Sequence, residues 1–194
     1  MLSHKIGDKG MEHISHEAAE HEYGITCNHE KMENGELRFR LKSSDGSGYI
    51  RTVSTPQSKW QKSHYHKEIM ETYIVQKGWM VLASLRNGQV IFEKYERGTI
   101  ITTELFVPHN VYLSSDSVIH TVKHGESQKS DWVAYPDLDA ETIKLTENQI
   151  IANARQPLRG ESFDPRFDAY INIYNNLDNL IWRVPGFFVA SLAI

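Results

Sequence analysis

The run His64-Tyr65-His66-Lys67-Glu68-Ile69-Met70-Glu71 places two imidazoles and a carboxylate where one metal ion could take all three. His64 and His66 are two residues apart, so on a β-strand both side chains leave the same face. Glu71 opens the strand-like run Thr72-Tyr73-Ile74-Val75, which closes at Gly78. A fourth candidate ligand, His109, stands in Val107-Pro108-His109-Asn110, eleven residues beyond Gly98. Imidazole and carboxylate donors of this kind suit one divalent ion of Fe, Mn, Ni, Co or Zn. Three histidines and a carboxylate leave coordination positions for water, dioxygen or a substrate, so the ion could serve as Lewis acid or redox centre.

Two further residues are candidates for catalysis. Tyr73 shares the parity of Glu71 and is expected to point inward, where it could donate a proton or a hydrogen bond. His120, on a late strand, is the second inward candidate. For both, a core or wall role is the competing reading. Glu68 has the parity of the histidines and is kept as a spare carboxylate. His124, beside Gly125, reads as a surface turn residue. Cys27 lies outside the strand pattern and is not proposed as a nucleophile.

The four ligand candidates carry a resemblance to the cupin superfamily. The first motif of that family reads G-x5-H-x-H-x4-E-x6-G, and His64, His66, Glu71 and Gly78 match its spacing, with Ser58 in place of the leading glycine. The second reads G-x5-P-x-G-x2-H-x3-N. Gly98 and His109 match it, while Glu104, Phe106 and Leu113 stand where the family has proline, glycine and asparagine. The resemblance covers residues 37 to 125, and the short stretch between the motifs resembles the compact microbial members. It implies a jelly-roll β-barrel with the ligands converging in its cavity. It also implies metal-dependent chemistry on a small molecule, as in dioxygenases, sugar isomerases and epimerases, and decarboxylases. Oxygen chemistry needs fewer protein bases than proton transfer, which puts a dioxygenase first and an isomerase or epimerase second.

The elements that would position these residues are β throughout residues 37 to 123. Leu37-Arg38-Phe39-Arg40-Leu41 alternates apolar with basic residues, as a half-buried strand does. Tyr49 to Val53, Trp79 to Leu85, Val90 to Tyr95, Gly98 to Thr103, Asn110 to Leu113 and Val118 to Val122 follow. Asn87-Gly88 is a strong hairpin signal between two of them. Eight or nine short strands fit a jelly roll closing around a cavity.

Three segments are expected: a polar N-terminal arm over 1–35, a barrel over 36–136 and a C-terminal helical extension over 137–194. In the arm, His13, Glu17 and His21 fall at helical spacing; a solvated helix is preferred there to a metal site. An arm crossing to a partner subunit is the other option. Leu138 to Arg155 reads as a helix with Asp139 as N-cap, and Trp132, Val133 and Tyr135 are expected to pack on the barrel. An amphipathic helix is expected over 166–183, followed by an apolar tail over 184–194. That tail either covers an apolar surface or begins a transmembrane helix of a longer chain, giving membrane contact.

At 194 residues the chain can bury a sizeable core. Hydrophobic content of 40%, charged content of 24% and a net charge of −4 fit a globular protein without general affinity for nucleic acid. One cysteine excludes an intramolecular disulfide and suits a reducing compartment. The expected location is cytoplasmic, or the cytoplasmic part of a membrane-anchored protein, and the expected assembly a homodimer. A metal-dependent enzyme is weighed against a sensing or binding module that signals through its C-terminal helices. A storage role is a distant third.

Overall fold

The computed structural model describes residues 13–56, 59–127 and 130–155. The helix expected over 166–183 and the apolar tail lie outside the described residues. Helix α1 (His16–Tyr23) is capped by the Ser15 side chain, which accepts the Ala18 amide hydrogen, and by Gly24 in the left-handed conformation at φ 64. It buries no side chain, and His13, Glu17 and His21 are all exposed. His13 lies before the helix, so of the three residues expected at helical spacing only Glu17 and His21 stand on it. Strand β1 (Ile25–Lys31), within the expected polar arm, pairs with β2 along its whole length.

Two antiparallel sheets form the body. The first has the order β1-β2-β3-β10-β5-β8 and the second β11-β4-β9-β6-β7. Their strands are β2 (Leu37–Ser43), β3 (Gly48–Val53), β4 (His64–Tyr65), β5 (Met70–Lys77), β6 (Trp79–Arg86), β7 (Gln89–Glu96), β8 (Ile100–Thr102), β9 (His109–Leu113), β10 (Val118–His124) and β11 (Val133–Ala134). The hairpin β6–β7 turns at Asn87 and Gly88, both with positive φ (52 and 75), which matches the twist of the flanking strands. Strands β5 and β6 are joined through Gly78 at φ 73. A side chain there would run into the hydroxyls of Ser114 and Ser117, so a tight turn and close packing both require glycine.

Alternate residues of β5 and β6 enter one apolar core between the sheets. Tyr73, Val75, Met80, Leu82, Tyr95, Val111, Leu113 and Ile119 pack there. The intervening residues Val81 and Ala83 point the other way, into a second cluster with Trp60 and Ile150. Fully burying Ile150 stabilises by about 2 kcal/mol and fastens helix α3 to the outer face of the five-stranded sheet.

Two expectations are corrected. The single helix over 138–155 is two helices, α2 (Pro136–Thr142) and α3 (Glu147–Asn153). Thr146 caps α3 in a reciprocal box with Gln149, which favours a fresh helix start over continuation. Asp139 is therefore not an N-cap. Its carboxylate accepts from the Ser63 amide and hydroxyl (2.8 and 2.7 Å) and from Asn110 Nδ2 (3.1 Å), tying α2 to β4 and β9.

The second correction concerns β2. Its basic residues face inward and its apolar residues outward. Arg40 is 8% exposed, whereas Phe39 is 41% and Leu41 44% exposed. The register explains the faces, because directly opposed antiparallel residues share a side of the sheet. Arg40 opposes Ile50, which opposes Thr121, which opposes buried Tyr73. Lys42, Gly48, Lys123 and Glu71 form the next row.

Candidate metal centre

His64 and His66 come from β4 and the loop after it, Glu71 from the start of β5 and His109 from the start of β9. His64 pairs with His109 across the β4–β9 ladder, and Glu71 faces them from the other sheet. One donor atom from each of the four residues lies within 4.8 Å of the others, and all four side chains are buried. Among the described residues this is the one group of that kind.

The hydrogen bonds fix the tautomers. Nδ1 of His64 contacts the Lys62 carbonyl, Nδ1 of His66 the Asp131 carbonyl and Nδ1 of His109 the Val107 carbonyl, each at 3.0 Å. A carbonyl only accepts, so each Nδ1 carries the hydrogen and each neutral ring turns its Nε2 lone pair toward the centre. The three Nε2 atoms stand 3.6, 3.4 and 3.4 Å from the Glu71 carboxylate. His64 Nε2 and His66 Nε2 are buried without a hydrogen-bond partner. Buried polar atoms are nearly always satisfied. Two orphaned lone pairs aimed at a carboxylate and a third imidazole are the arrangement a divalent cation satisfies, and the donor set fits one.

Electrostatics agree. Burial alone would raise the Glu71 carboxyl, but the imidazoles of His109, His64 and His66 that face it and the Lys123 ammonium, 2.8 Å from Oε1, outweigh it and hold the group well below its ordinary value. Burial lowers the His64 imidazole against the pull of Glu71, favouring the neutral ring a metal needs.

Tyr73 points inward as its parity requires, but it stands behind Glu71 and donates its O–H to Oε2 at 2.5 Å. Burial, followed by the charge of Glu71, pushes the phenol well above its ordinary value, so it keeps its proton and positions the carboxylate. His120 does not join the cluster. It opposes Ile74, on the face away from Tyr73, where it bonds Tyr49 Oη and Gln76 Oε1 at 2.7 Å each. Alternation alone left the sign of the β10 faces open, since Val118-His120-Val122 is the more apolar set. Glu68 is exposed, its backbone N–H given to Asp131. His124 ends β10 and bonds Thr72 Oγ1 at 2.9 Å.

Two supporting residues lie outside the motif spacing. Asp131 accepts the amide hydrogens of Lys67, Glu68 and Ile69 and so braces the loop between His66 and Glu71. Burial opposes its charge, yet these three N–H groups hold its carboxyl below the ordinary range. Lys123 shares parity with the buried Ile119 and Thr121, which is the signal that could have marked it. Trp132 packs back as expected, its ring stacked 5.3 Å from that of His64.

The double antiparallel sheet, with three histidines and a glutamate converging from the β4–β9 pair, the loop after β4 and the facing strand β5, is a cupin-type jelly-roll barrel. Solved structures similar to the chain include a Drosophila melanogaster CENP-C cupin domain (14% identity, TM-score 0.41, covering 50% of this chain and 70% of that one). They also include the Staphylococcus aureus capsular polysaccharide assembling protein CapF (14%, 0.46, 56% and 34%) and a Bacillus subtilis oxalate decarboxylase (15%, 0.48, 66% and 34%). The chain thus spans about a third of the last two. No family model and no curated protein matches it. Among the described residues no helix is long and apolar enough to cross a membrane.

Proposed function

We propose that this barrel binds one divalent transition-metal ion through His64, His66, Glu71 and His109 and acts as a metal-dependent enzyme on a small molecule. The observation that carries the reading is the convergence of three Nδ1-anchored imidazoles on one buried carboxylate, with the Nε2 atoms of His64 and His66 left without partners. When bound, the ion supplies a Lewis-acid or redox centre.

The chain's own residues prepare the site. Asp131 and the carbonyls of Lys62 and Val107 hold the imidazoles in orientation. Tyr73 and Lys123 each hold one oxygen of Glu71. A cavity of about 1150 Å³ opens beside the cluster, large enough for a small organic molecule. With Tyr73 protonated and His120 on the far face, the described residues around the cluster offer no free histidine or phenolate as a base. Dioxygen chemistry needs fewer protein bases than isomerisation, and a dioxygenase is the favoured subclass.

The test is metal analysis of the purified protein, followed by oxygen uptake by the Fe(II)-loaded form with catechols, thiols and small carboxylic acids. Substrate-dependent uptake that disappears in His109→Ala supports the reading. A metal-loaded protein that binds one of these compounds tightly but never turns it over would replace it with a metabolite-sensing barrel.

A further inference from the structure

The inward row of cations on β2 is not explained by the metal ligands. Arg38, Arg40 and Lys42 stand on alternate residues of the strand and, with Lys123 on β10, line the cavity that holds His64, His66 and Glu71. Taking guanidinium groups off the water-facing side and turning apolar Phe39 and Leu41 outward is costly for stability, and a half-buried strand would ordinarily do the reverse. The cations are also under-used. Arg38 gives Nε and Nη2 to buried Glu36 (3.1 and 2.8 Å), and Arg40 bonds Glu30 through Nη1 and the Met32 thioether through Nη2 at 3.4 Å. A guanidinium has five N–H donors in a planar fork, so each keeps donors for a further acceptor.

Four cations face three carboxylates along this wall: Glu30, Glu36 and Glu71. The other carboxylates lining the cavity are engaged elsewhere: Asp131 accepts three backbone N–H groups, Glu33 pairs with Lys62, and Glu147 accepts from Tyr112 Oη. A divalent ion would shift the balance further positive. Aromatic surface in the same cavity comes from Trp132, whose ring stacks on that of His64.

We infer that the cavity selects an organic oxyanion, a carboxylate or phosphate ester with an apolar body, whose charged group is held by the Arg38–Arg40–Lys42–Lys123 wall. This names the substrate class of the proposed metal site and rests on that reading for the position of the reacting centre. The anionic group sits on the wall and the apolar body against Trp132, which places the molecule beside His64, His66 and Glu71.

Calorimetric titration of the manganese-loaded protein with benzoate, phenyl phosphate, inorganic phosphate and neutral benzamide tests it. Benzoate or phenyl phosphate is expected to bind at least about tenfold more tightly than benzamide, and to weaken as salt rises. Which of the two binds better distinguishes a carboxylate from a phosphate ligand, and inorganic phosphate reads the wall without an apolar body. Arg40→Gln with Lys42→Gln should cost at least about tenfold in that binding, as expected for charge-assisted hydrogen bonds. Since Arg40 is buried, exposed Lys42→Gln alone carries the test if the double variant does not fold. Equal binding of benzamide, no binding of any anion, or unchanged affinity in a folded variant overturns the inference. Metal content measured on the same samples reports separately on the enzyme reading. Charge-selective, Lys42-dependent binding by a protein that takes up no metal would sink that reading and leave the anion wall standing.

Discussion

The two faces of the six-stranded sheet differ in the opposite sense from an ordinary barrel wall. The inner face carries Arg38, Arg40, Lys123, Glu71 and Tyr73; the outer face carries Phe39, Leu41, Tyr49 and Val122, each more than a third exposed. The five-stranded sheet behaves conventionally, with Met80 and Leu82 inside and Val81 and Ala83 covered by α3. Strand periodicity assigns residues to two faces, but polarity assigns those faces to core and solvent only where the interior is a dry core. Where the interior is a charged cavity, the sign reverses.

The largest effect that could break this contrast is on the metal. Glu71→Gln removes the one anionic donor and should weaken Zn(II) affinity by about 1000-fold in a competition titration with a chelator. Leu41→Ser, on the other face, should leave it unchanged. If both variants bind alike, the inner face has no special role.

Next comes stability. Arg38→Met strands Glu36, which is fully buried, without its cation, although Gln61 still donates to it. Chemical denaturation should show a loss of about 3 kcal/mol. Adding Glu36→Leu should recover most of the loss, because the penalty belongs to the unpaired charge. Phe39→Ser, outside, should cost less than about 1 kcal/mol. A larger cost there would mean that Phe39 is buried against something in solution.

A smaller loss is expected for Asp131→Asn, which loosens the loop behind His66 and should lower metal affinity about tenfold with the fold intact. The smallest effect belongs to His120. Burial, then the nearby Arg51, lowers its imidazole below the ordinary value of 6.5. The unfolded chain therefore holds more protons than the folded one between those two values, and stability should rise as pH climbs through that window. His120→Gln should flatten that rise without altering metal content, and an NMR titration placing His120 at or above 6.5 would contradict the assignment.

Much of the site was legible because it depends on parity and spacing. The interval His64-x-His66-x4-Glu71 fixed three donors, and the distance from Gly98 fixed the fourth. Substitutions in the second motif hid less than they suggest. Phe106, where the family has glycine, still adopts a positive φ of 62 and gives its N–H to the His66 carbonyl at 2.7 Å. The backbone geometry is retained at a strain of about 1 kcal/mol. What sequence could not show depends on contacts between distant segments. Asp131 braces residues 67–69 across more than sixty residues. Asp139 reads as a helix cap until Ser63 and Asn110 are placed beside it. The faces of β10, which decide between His120 and Lys123, follow only from its pairing with β5.

The most direct measurement is the metal content of the purified protein by inductively coupled plasma mass spectrometry, repeated after reconstitution with Mn(II), Fe(II) and Zn(II). One divalent transition ion per chain is expected in the wild type and none in His64→Ala with His66→Ala. A wild-type chain that takes up no metal, or a double variant that holds as much as the wild type, would contradict the metal site.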